Sequence, residues 1–250
     1  MKKNFAETPS EQKRERLDIL LLERGLARSR TAAVVLIERG SVLVNGVMMN
    51  KANRPVLIDA KIEVTEPLAF VSRAGEKLEY ALSTWNIKVE GLTVADIGSS
   101  TGGFTDCLIQ RNAQKVYAID VGTNQLNPIL RGNPKVISLE QTDVRNVKLP
   151  EPADLVTIDV SFISLKHILE TTKSLLKTNG QMIVLVKPQF EVGPKQVDDR
   201  GVVTSEEKRK ETLENVKSEA ENIGLKIQAE TTSPIVGNAG NIEYLLWLKK

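Results

Sequence analysis

A glycine-rich loop lies between a predicted strand and a predicted helix, in the segment Asp96–Thr105. Glycines let the backbone approach a ligand closely and adopt a positive φ. The next predicted strand ends at Asp120, 18 residues after Gly102. In open α/β sheets, ligands bind at the carboxyl ends of the strands, where an acidic residue can bind both ribose hydroxyls of a nucleoside. The loop and Asp120 together predict a site for a nucleoside-containing ligand.

The spacing of the loop distinguishes between possible ligands. Gly98 and Gly102 form Gly-x-x-x-Gly, whereas dinucleotide-binding proteins have Gly-x-Gly-x-x-Gly. We expect Asp96, at the strand end, to point into the pocket, where it would repel a pyrophosphate and attract a cationic sulfonium or amino group. The motif therefore favours S-adenosylmethionine over NAD. Asp143 follows the third predicted strand and is expected to accept a hydrogen bond from the adenine amino group.

The predicted cofactor-binding residues lie in this loop or just after the two following strands: Asp96, Gly98, Ser100, Thr101, Gly102, Gly103, Phe104, Asp120 and Asp143. The alternative interpretation is a turn whose glycines serve packing alone. Two acidic residues at the expected strand ends favour the cofactor site over that alternative.

Four charged residues are candidates for catalysis: Lys77, Asp159, Lys187 and Glu243. Lys187 ends an apolar strand, Met182–Lys187, and we place Glu243 inside the last predicted strand, Ile242–Leu248. A charge in a buried strand is costly unless it is paired or functional. Asp159 ends the fourth predicted strand, and Lys77 lies on a predicted helix over residues 75–85. For each residue taken singly, and for Lys77 above all, a solvated surface charge is the alternative.

These residue types suit attack by a hydroxyl group with a high pKa, such as that of a ribose. The hydroxyl must lose its proton during methyl transfer. A lysine flanked by another cation has a lowered pKa and can act as the base, or its charged form can stabilise the developing alkoxide. Enzymes that methylate exocyclic base amines usually carry Asp/Asn-Pro-Pro-aromatic at this place. Asp159-Val160-Ser161-Phe162 lacks both prolines, which argues against amino methylation.

The pattern of predicted elements divides the chain. Residues 1–15 are polar and predict a flexible tail, and residues 16–66 predict a small α+β domain with two helices, an Asn45-Gly46 hairpin and a further extended run, Val56–Val64. Residues 67–72 predict a linker. In residues 73–250, strands alternate with helices, which predicts an α/β fold with a mostly parallel sheet, closed by a C-terminal hairpin.

Composition excludes several classes of protein. One cysteine, Cys107, and one histidine, His167, exclude an internal disulfide framework and zinc sites of several cysteines or histidines, so we expect no metal. A Ser-His-Asp triad would have to use His167, for which an exposed helix position is the simpler interpretation.

No apolar run is long enough to cross a bilayer, and we expect a cytoplasmic protein that does not bind membranes. Residues 1–66 carry a net charge of +3, with 12 Lys and Arg against 9 Asp and Glu, which permits nucleic-acid binding.

Five segments, in this order, resemble the TlyA family, whose members are described as hemolysins and as ribosomal RNA 2′-O-methyltransferases: Ser72–Leu78, Asp96–Thr105, Asp159–Phe162, Val186–Glu191 and Asn241–Glu243. The second half resembles FtsJ-type RNA 2′-O-methyltransferases, with the class I, Rossmann-like sheet that uses S-adenosylmethionine. Their Lys-Asp-Lys-Glu tetrad falls on Lys77, Asp159, Lys187 and Glu243. The first half resembles an S4 RNA-binding domain.

The resemblance implies methylation of cytidine ribose in small-subunit RNA, large-subunit RNA or both, on ribosomal subunits. The sequence decides neither the subunit nor the oligomeric state, nor whether the polar stretch Lys195–Thr204 closes as a lid. Gly98-Ser99-Ser100 departs from the more glycine-rich loop of many relatives. We expect it to keep the turn and to alter cofactor affinity.

The candidates for RNA phosphate contacts in the first half are basic residues: Arg14, Arg16, Arg28, Arg30, Arg39 and Lys51. Each alone is more often a solvated helix charge, and as a cluster in an S4-like frame they favour RNA binding. Two other classes of function remain open. One is a membrane-active hemolysin, although the sequence has no strongly amphipathic cationic helix. The other is a non-catalytic RNA-binding or ribosome assembly factor.

Overall fold

The computed structural model describes residues 13–193 and 196–250, which form two compact units divided between Leu68 and Ala69. Two predicted boundaries differ from this division. Arg14 and Glu15, assigned to the tail, belong to a strand. Phe70 and Val71, assigned to the linker, are buried in the second unit, where the Val71 amide donates to the Asp106 carboxylate over 2.8 Å. The remainder of the predicted tail, residues 1–12, lies outside the described residues.

The first unit combines two helices with short antiparallel strands. Its elements are β1 (Arg14–Arg16), α1 (Leu17–Glu23), α2 (Arg30–Glu38), β2 (Val42–Val44), β3 (Val47–Met49), β4 (Pro55–Leu57) and β5 (Ile62–Val64). β1 pairs with β4, and β2 lies between β3 and β5. The extended run predicted over residues 56–64 is therefore two strands, which belong to different sheets.

Local sequence signals account for the first unit. The Ser29 hydroxyl accepts a hydrogen bond from the Ala32 amide at the start of α2, as expected of an N-cap. Asn45 and Gly46 have φ values of 50° and 78°, which a tight hairpin requires. Apolar residues of both helices, among them Leu17 and Ile37, are fully buried in the core of this unit.

The second unit alternates strands with helices. Its elements are α3 (Ala74–Thr84), β6 (Thr93–Ile97), α4 (Gly103–Gln110), β7 (Lys115–Ile119), α5 (Pro128–Arg131), β8 (Val136–Leu139), β9 (Ala153–Ile158), α6 (Leu169–Ser174), β10 (Leu176–Val186), α7 (Pro188–Glu191), α8 (Glu206–Asn222), β11 (Lys226–Thr232) and β12 (Tyr244–Lys249). Its strands form one sheet in the order β11-β12-β10-β9-β6-β7-β8. The pairs from β10 to β8 are parallel, and β12 is antiparallel to both neighbours. This confirms the predicted α/β fold and the C-terminal hairpin.

Two apolar cores cover the two faces of the sheet. In β10, Met182 and Val184 pack into one core, with residues of α6 and α8, whereas Ile183 and Leu185 pack into the other, with residues of α3 and α4. Successive strand residues point to opposite faces, so a strand buried on both faces is a continuous apolar run. That is why the strands were visible in the sequence.

Some predicted bounds are wrong. Glu243 precedes β12 instead of lying inside it, and β10 begins at Leu176 and ends before Lys187. The segment around His167, for which a helix position was expected, is a 3₁₀ turn at 165–167 followed by α6. Within the part of the chain described, no helix is long and apolar enough to cross a membrane.

Candidate active site

Three of the four candidate catalytic residues meet at one edge of the sheet. β9 and β10 pair through Ile158 and Val184, and β10 and β12 pair through Val186 and Tyr244. Asp159 and Lys187 each directly follow a strand, and Glu243 directly precedes one. Because β12 is antiparallel to β10, its beginning lies beside the end of β10. The sheet topology therefore gathers these charges where α/β enzymes bind ligands.

The four residues form two ion pairs. Lys187 Nζ lies 2.6 Å from Asp159 Oδ1, and Lys77 Nζ lies 2.5 Å from Glu243 Oε2. Lys187 Nζ also contacts Ser161 Oγ at 3.0 Å. Asp159 Oδ1 is buried and makes no hydrogen bond of good angular geometry, so its contact with Lys187 is ionic. Each lysine is thus paired with a carboxylate. The expected alternative, a lysine whose pKa is lowered by a neighbouring cation, does not describe these contacts.

The Lys77–Glu243 pair is deeply buried. Lys77 is only 8% exposed and Glu243 only 2% exposed. The surface-charge interpretation of Lys77 is therefore wrong. Gly237 makes room for the carboxylate, because a Cβ there would lie 1.9 Å from Glu243 Oε1. A buried pair of this kind costs desolvation free energy and is weak evidence for stability alone, which leaves room for a functional role.

A cavity of about 540 Å³ opens beside the Lys187–Asp159 pair. Its volume lies within the range of about 300–1,000 Å³ that is typical of small-molecule sites. Residues from four strand ends line it: Ile97, Gly98, Ser100, Ile119, Asp120, Val121, Thr142, Asp143, Asp159, Ser161 and Phe162 are among them. Of the four candidate catalytic residues, Asp159 lines the cavity, and Lys187 is joined to it through the contact with Asp159.

The loop after β6 forms one side of this cavity. Gly98 has a φ of 78°, and a Cβ there would lie 2.4 Å from the Asp159 carbonyl oxygen. Gly98 thus lets the loop after β6 approach Asp159, a candidate catalytic residue. Ser100 has a positive φ of 46°, unusual for a residue other than glycine, and its amide donates to Asp120 Oδ2 over 2.8 Å. The loop keeps its turn despite the serine, as predicted.

Backbone hydrogen bonds orient the Asp120 carboxylate at the cavity wall. Its two carboxylate oxygens accept one backbone amide each, from Ser100 and from Gly122, the latter over 2.7 Å. Each oxygen keeps acceptor capacity for a ligand hydroxyl. The apolar side chains of Ile119 and Val121, on either side of Asp120, face the same cavity. A nucleoside with a cationic group fits this combination of apolar wall and carboxylates.

Asp96 differs from its predicted role. It is fully buried and is not among the residues that line the cavity. Its carboxylate accepts hydrogen bonds from Thr105 Oγ1 at 2.6 Å and Thr157 Oγ1 at 2.9 Å. Burial, opposed by these hydrogen bonds and assisted by the charge of Asp159, raises the pKa of Asp96 to about 7. Asp96 therefore fastens the β6 loop to α4 and β9 and does not point into the pocket.

Several other residues of the glycine-rich loop also serve packing. A Cβ on Gly102 would meet the Leu126 and Leu130 side chains, and a Cβ on Gly103 would meet Ser72 Oγ at 2.2 Å. Phe104 is buried in the core beneath the sheet. Like Thr101, these three residues are absent from the cavity lining. The packing interpretation thus describes the second half of the loop, and the ligand interpretation describes Gly98 and Ser100.

Asp143 lines the cavity but already has partners. Its carboxylate accepts the Arg145 amide at 2.9 Å and forms an ion pair with the Arg145 guanidinium. The hydrogen bond from the Arg145 side chain is the largest cause of a pKa of about 2 for Asp143. To accept the adenine amino group, as predicted, Asp143 would have to use its remaining lone pairs.

Three residues at or near the cavity were given no role from the sequence: Ser161 and Phe162 line it, and Phe190 packs against Phe162. Phe162 is 91% exposed and has a φ of 63°, and its ring centroid lies 5.0 Å from that of Phe190. Lys187 Nζ lies 5.9 Å from the Phe190 ring centroid. An apolar ring held in solvent by a disfavoured backbone is a signal of function. Periodicity could not show it, because the residue lies between elements.

The sequence leaves open whether Lys195–Thr204 closes as a lid, and the first residue of this stretch, Lys195, lies outside the described residues. The rest is tethered near the tetrad: Asn241 is buried, its side-chain amide donates to the Gly201 carbonyl, and its oxygen accepts the Val203 amide. The Arg209 guanidinium donates to the Val203 and Thr204 carbonyls. The stretch around residues 201–204 is thus held in place by Asn241, which lies two residues before Glu243 in the sequence.

Of the six candidates for RNA contacts in the first unit, all but the half-buried Arg16 are exposed. Arg16 and Arg30 both contact the buried Asp18 carboxylate, at 3.0 and 2.8 Å. The Arg16 hydrogen bond is the largest cause of the lowered pKa of Asp18, about 2. Asp18 neutralises part of the charge and holds two guanidinium groups together, a role that the sequence analysis missed.

Among the described residues, no cluster of three His, Cys, Asp or Glu side chains could hold a metal ion. His167 is exposed in the 3₁₀ turn, as expected. The site therefore consists of lysines, carboxylates, a hydroxyl and two aromatic rings around a nucleoside-sized cavity.

Comparison with known proteins agrees with this geometry. Residues 70–250 match the FtsJ-like methyltransferase family, and residues 15–62 match the S4 domain. The chain is 40% identical over 243 residues to the 16S/23S rRNA (cytidine-2′-O)-methyltransferase TlyA of Mycobacterium tuberculosis, covering 95% of this chain and 90% of that protein. A solved structure from Streptococcus thermophilus, provisionally named a hemolysin, is 39% identical and covers 96% of this chain and 89% of that one, with a TM-score of 0.76.

The fold is also that of more distant enzymes. An S-adenosylmethionine-dependent methyltransferase from Mesorhizobium loti is 14% identical and has a TM-score of 0.52, covering 70% of this chain and 98% of that one. The predicted Rossmann-like methyltransferase sheet is thus confirmed. By its family match over the second unit and its similarity to TlyA along nearly the whole chain, this protein belongs to the TlyA family of FtsJ-like methyltransferases that carry an S4 domain.

Proposed function

We propose that this protein transfers a methyl group from S-adenosylmethionine to the 2′-hydroxyl of a cytidine in ribosomal RNA. The observation that carries the proposal is the contact of Lys187 with Asp159, a carboxylate that lines the nucleoside-sized cavity. The assignment of cytidine and of ribosomal RNA as the substrate rests on the 40% identical relative, which is named a 16S/23S rRNA (cytidine-2′-O)-methyltransferase. A cytoplasmic location goes with such a substrate.

The cavity residues have separate roles in binding. Asp120 holds the ribose hydroxyls of the cofactor, and Gly98 and Ser100 bring backbone close to it. Ile119 and Val121 give the adenine an apolar wall, and Asp143 is its polar partner. When bound, S-adenosylmethionine supplies an electrophilic methyl group on a sulfonium.

Lys187 acts on the target oxygen. In methyl transfer, the oxygen–carbon bond forms as the carbon–sulfur bond breaks, and the hydroxyl proton leaves. Neutral Lys187 would accept that proton, whereas charged Lys187 would stabilise the alkoxide while water accepts the proton. Its contact with the Asp159 carboxylate at 2.6 Å suits the second role, and Asp159 and Ser161 orient its ammonium. The Lys77–Glu243 pair joins α3 to the start of β12 and so positions β12 beside the end of β10, which Lys187 follows.

The S4 domain brings the enzyme to structured RNA. Its exposed basic residues Arg14, Arg28, Arg39 and Lys51 contact phosphates without reading bases. Binding by one module raises the effective concentration of the target for the other. Exposed Phe162, at the cavity mouth, offers a ring on which an unpaired base can stack.

The test is transfer of tritiated methyl groups from S-adenosylmethionine to purified small and large ribosomal subunits, assayed separately. We expect incorporation into at least one subunit and none with Lys187→Ala. Incorporation that survives Lys187→Ala would contradict the assigned role. A hemolysin would instead release dye from liposomes, and a non-catalytic assembly factor would bind subunits without methyl transfer.

A further inference from the structure

Two segments that follow neighbouring strands contact each other beside the cavity. The first is the loop 159–165 after β9, and the second is residues 187–191, which include α7, after β10. At one end of the contact, Lys187 binds Asp159 and Ser161. In the middle, the Phe162 and Phe190 rings pack at 5.0 Å.

Glu191 closes the other end of this contact. Its Oε2 accepts the Ser164 hydroxyl at 2.6 Å, and its Oε1 accepts the Leu165 amide at 2.9 Å. Both carboxylate oxygens are thus used on the loop. Burial, opposed by these two hydrogen bonds, raises the pKa of Glu191 above its usual range, so the contact is made at a desolvation cost.

The loop needs such a fastening. Phe162, at its tip, is 91% exposed and adopts a positive φ, a conformation that persists only where surrounding contacts impose it. Asp159 and Ser161 hold Lys187 from one side of Phe162, and Glu191 holds Ser164 and Leu165 on the other side. After Phe162, Ile163 and Leu165 pack against the core, and Glu191 adds the side-chain hydrogen bonds that join this part of the loop to α7.

We propose that Glu191 is a positioning residue for methyl transfer: it fixes the loop 159–165 on α7 and thereby sets the place of Asp159 and Ser161 relative to Lys187. This inference rests on the proposed function, because it concerns the same site. Glu191 does not line the cavity and acts through the loop.

The test compares Glu191→Ala, which removes both hydrogen bonds, with Glu191→Gln, which keeps the shape. The glutamine oxygen can accept the Leu165 amide, and its amide can donate to Ser164 Oγ. The matched control is Glu211→Ala, an exposed carboxylate on α8 that pairs with Lys208. The measurements are kcat and KM for ribosomal subunits, the Kd of S-adenosylmethionine, the melting temperature and hydrogen exchange of the Leu165 amide.

We expect Glu191→Ala to lower kcat about 10–100-fold, because a displacement of about 1 Å at a reacting centre has effects of that size. The Kd of S-adenosylmethionine should change less than kcat, by about tenfold at most, since the contact between Ser100 and Asp120 lies outside the loop 159–165 and is untouched. Leu165 exchange should accelerate in Glu191→Ala and stay slow in Glu191→Gln, which should recover most of kcat. Glu211→Ala should resemble the wild type in each measurement.

A kcat for Glu191→Ala within about twofold of the wild type would overturn the inference. So would a fall in kcat, cofactor affinity and melting temperature together that Glu191→Gln does not rescue, since that describes a merely structural residue. A wild-type protein that methylates neither subunit contradicts the proposed function instead. In that case Leu165 exchange still decides about Glu191: unchanged exchange in Glu191→Ala overturns its assignment.

Discussion

Lys77 Nζ and Glu243 Oε2 lie 2.5 Å apart in a pair that is almost fully shielded from water. Removing one partner leaves the other charge buried without compensation, which typically costs about 3–5 kcal/mol. We therefore expect Glu243→Ala to lower the free energy of unfolding of the second unit by roughly this amount. Lys77→Met combined with Glu243→Leu should lose much less. Denaturant unfolding of Glu243→Ala, and of the wild type, Lys77→Met, Glu243→Leu and the double variant, measures both effects, and additive losses in the double variant would contradict the pairing.

Lys187 is expected to be the most sensitive position for the rate. Lys187→Ala should lower kcat by about 10²–10⁴-fold, the size of the contribution of a positioned acid–base or charge-stabilising group. Lys187→Arg distinguishes its two possible roles, because arginine keeps the charge but cannot act as a base at neutral pH. A role in stabilising the alkoxide predicts that Lys187→Arg keeps much more activity than Lys187→Ala. Equal loss in the two variants would instead identify Lys187 as the base.

Asp96 should make the stability of the second unit depend on pH. Its pKa is about 7 in the folded protein, against an ordinary value of 3.8. Between these values the folded state binds more protons than the unfolded state, so stability falls as pH rises from about 4 to about 7. Asp96→Asn removes this titration and should gain roughly 2–4 kcal/mol relative to the wild type across that range. The comparison uses denaturant unfolding at several pH values, and parallel curves for the two proteins would contradict the assignment.

Gly98 and Ser100 both have positive φ, yet they should respond differently to substitution. In Gly98→Ala, the new Cβ would meet the Asp159 carbonyl at 2.4 Å, so the loop or Asp159 must move. We expect the affinity for S-adenosylmethionine, measured by calorimetry, to fall at least about tenfold, or about 1.4 kcal/mol. Ser100→Gly relieves a disfavoured conformation and should change stability by no more than about 1 kcal/mol. Equal affinity of Gly98→Ala and the wild type would exclude the close approach.

The sequence predicted what depends on continuous apolar runs and on acidic residues at strand ends. β6, β7, β9 and β10 are visible as such runs, and Asp120 and Asp159 follow from where two of them end. Asp159 was expected to orient Lys187, and that contact follows from β9 lying beside β10. The pairing of Lys77 with Glu243 was not predictable, because it joins α3 to the residue before β12. Helical periodicity likewise could not show that Lys77 faces a buried carboxylate.

The direction of individual side chains was the weakest part of the prediction. Asp96 was placed in the pocket, because the motif does not reveal that Thr105 and Thr157 bind its carboxylate. The ion pair between Arg145 and Asp143 and the exposure of the Phe162 ring depend on the conformation of turns between elements. Such turns are set by local hydrogen bonds that apolar patterning does not record.

The most direct measurement is nucleoside mass spectrometry of ribosomal RNA after reaction of purified subunits with the enzyme and S-adenosylmethionine. If the Lys187–Asp159 site methylates a ribose hydroxyl and not a base, the wild-type enzyme should form 2′-O-methylcytidine. Lys187→Ala should form none, while calorimetry shows that this variant still binds the cofactor. A methylated base in place of a methylated ribose, or 2′-O-methylcytidine formed equally by Lys187→Ala, would contradict this assignment.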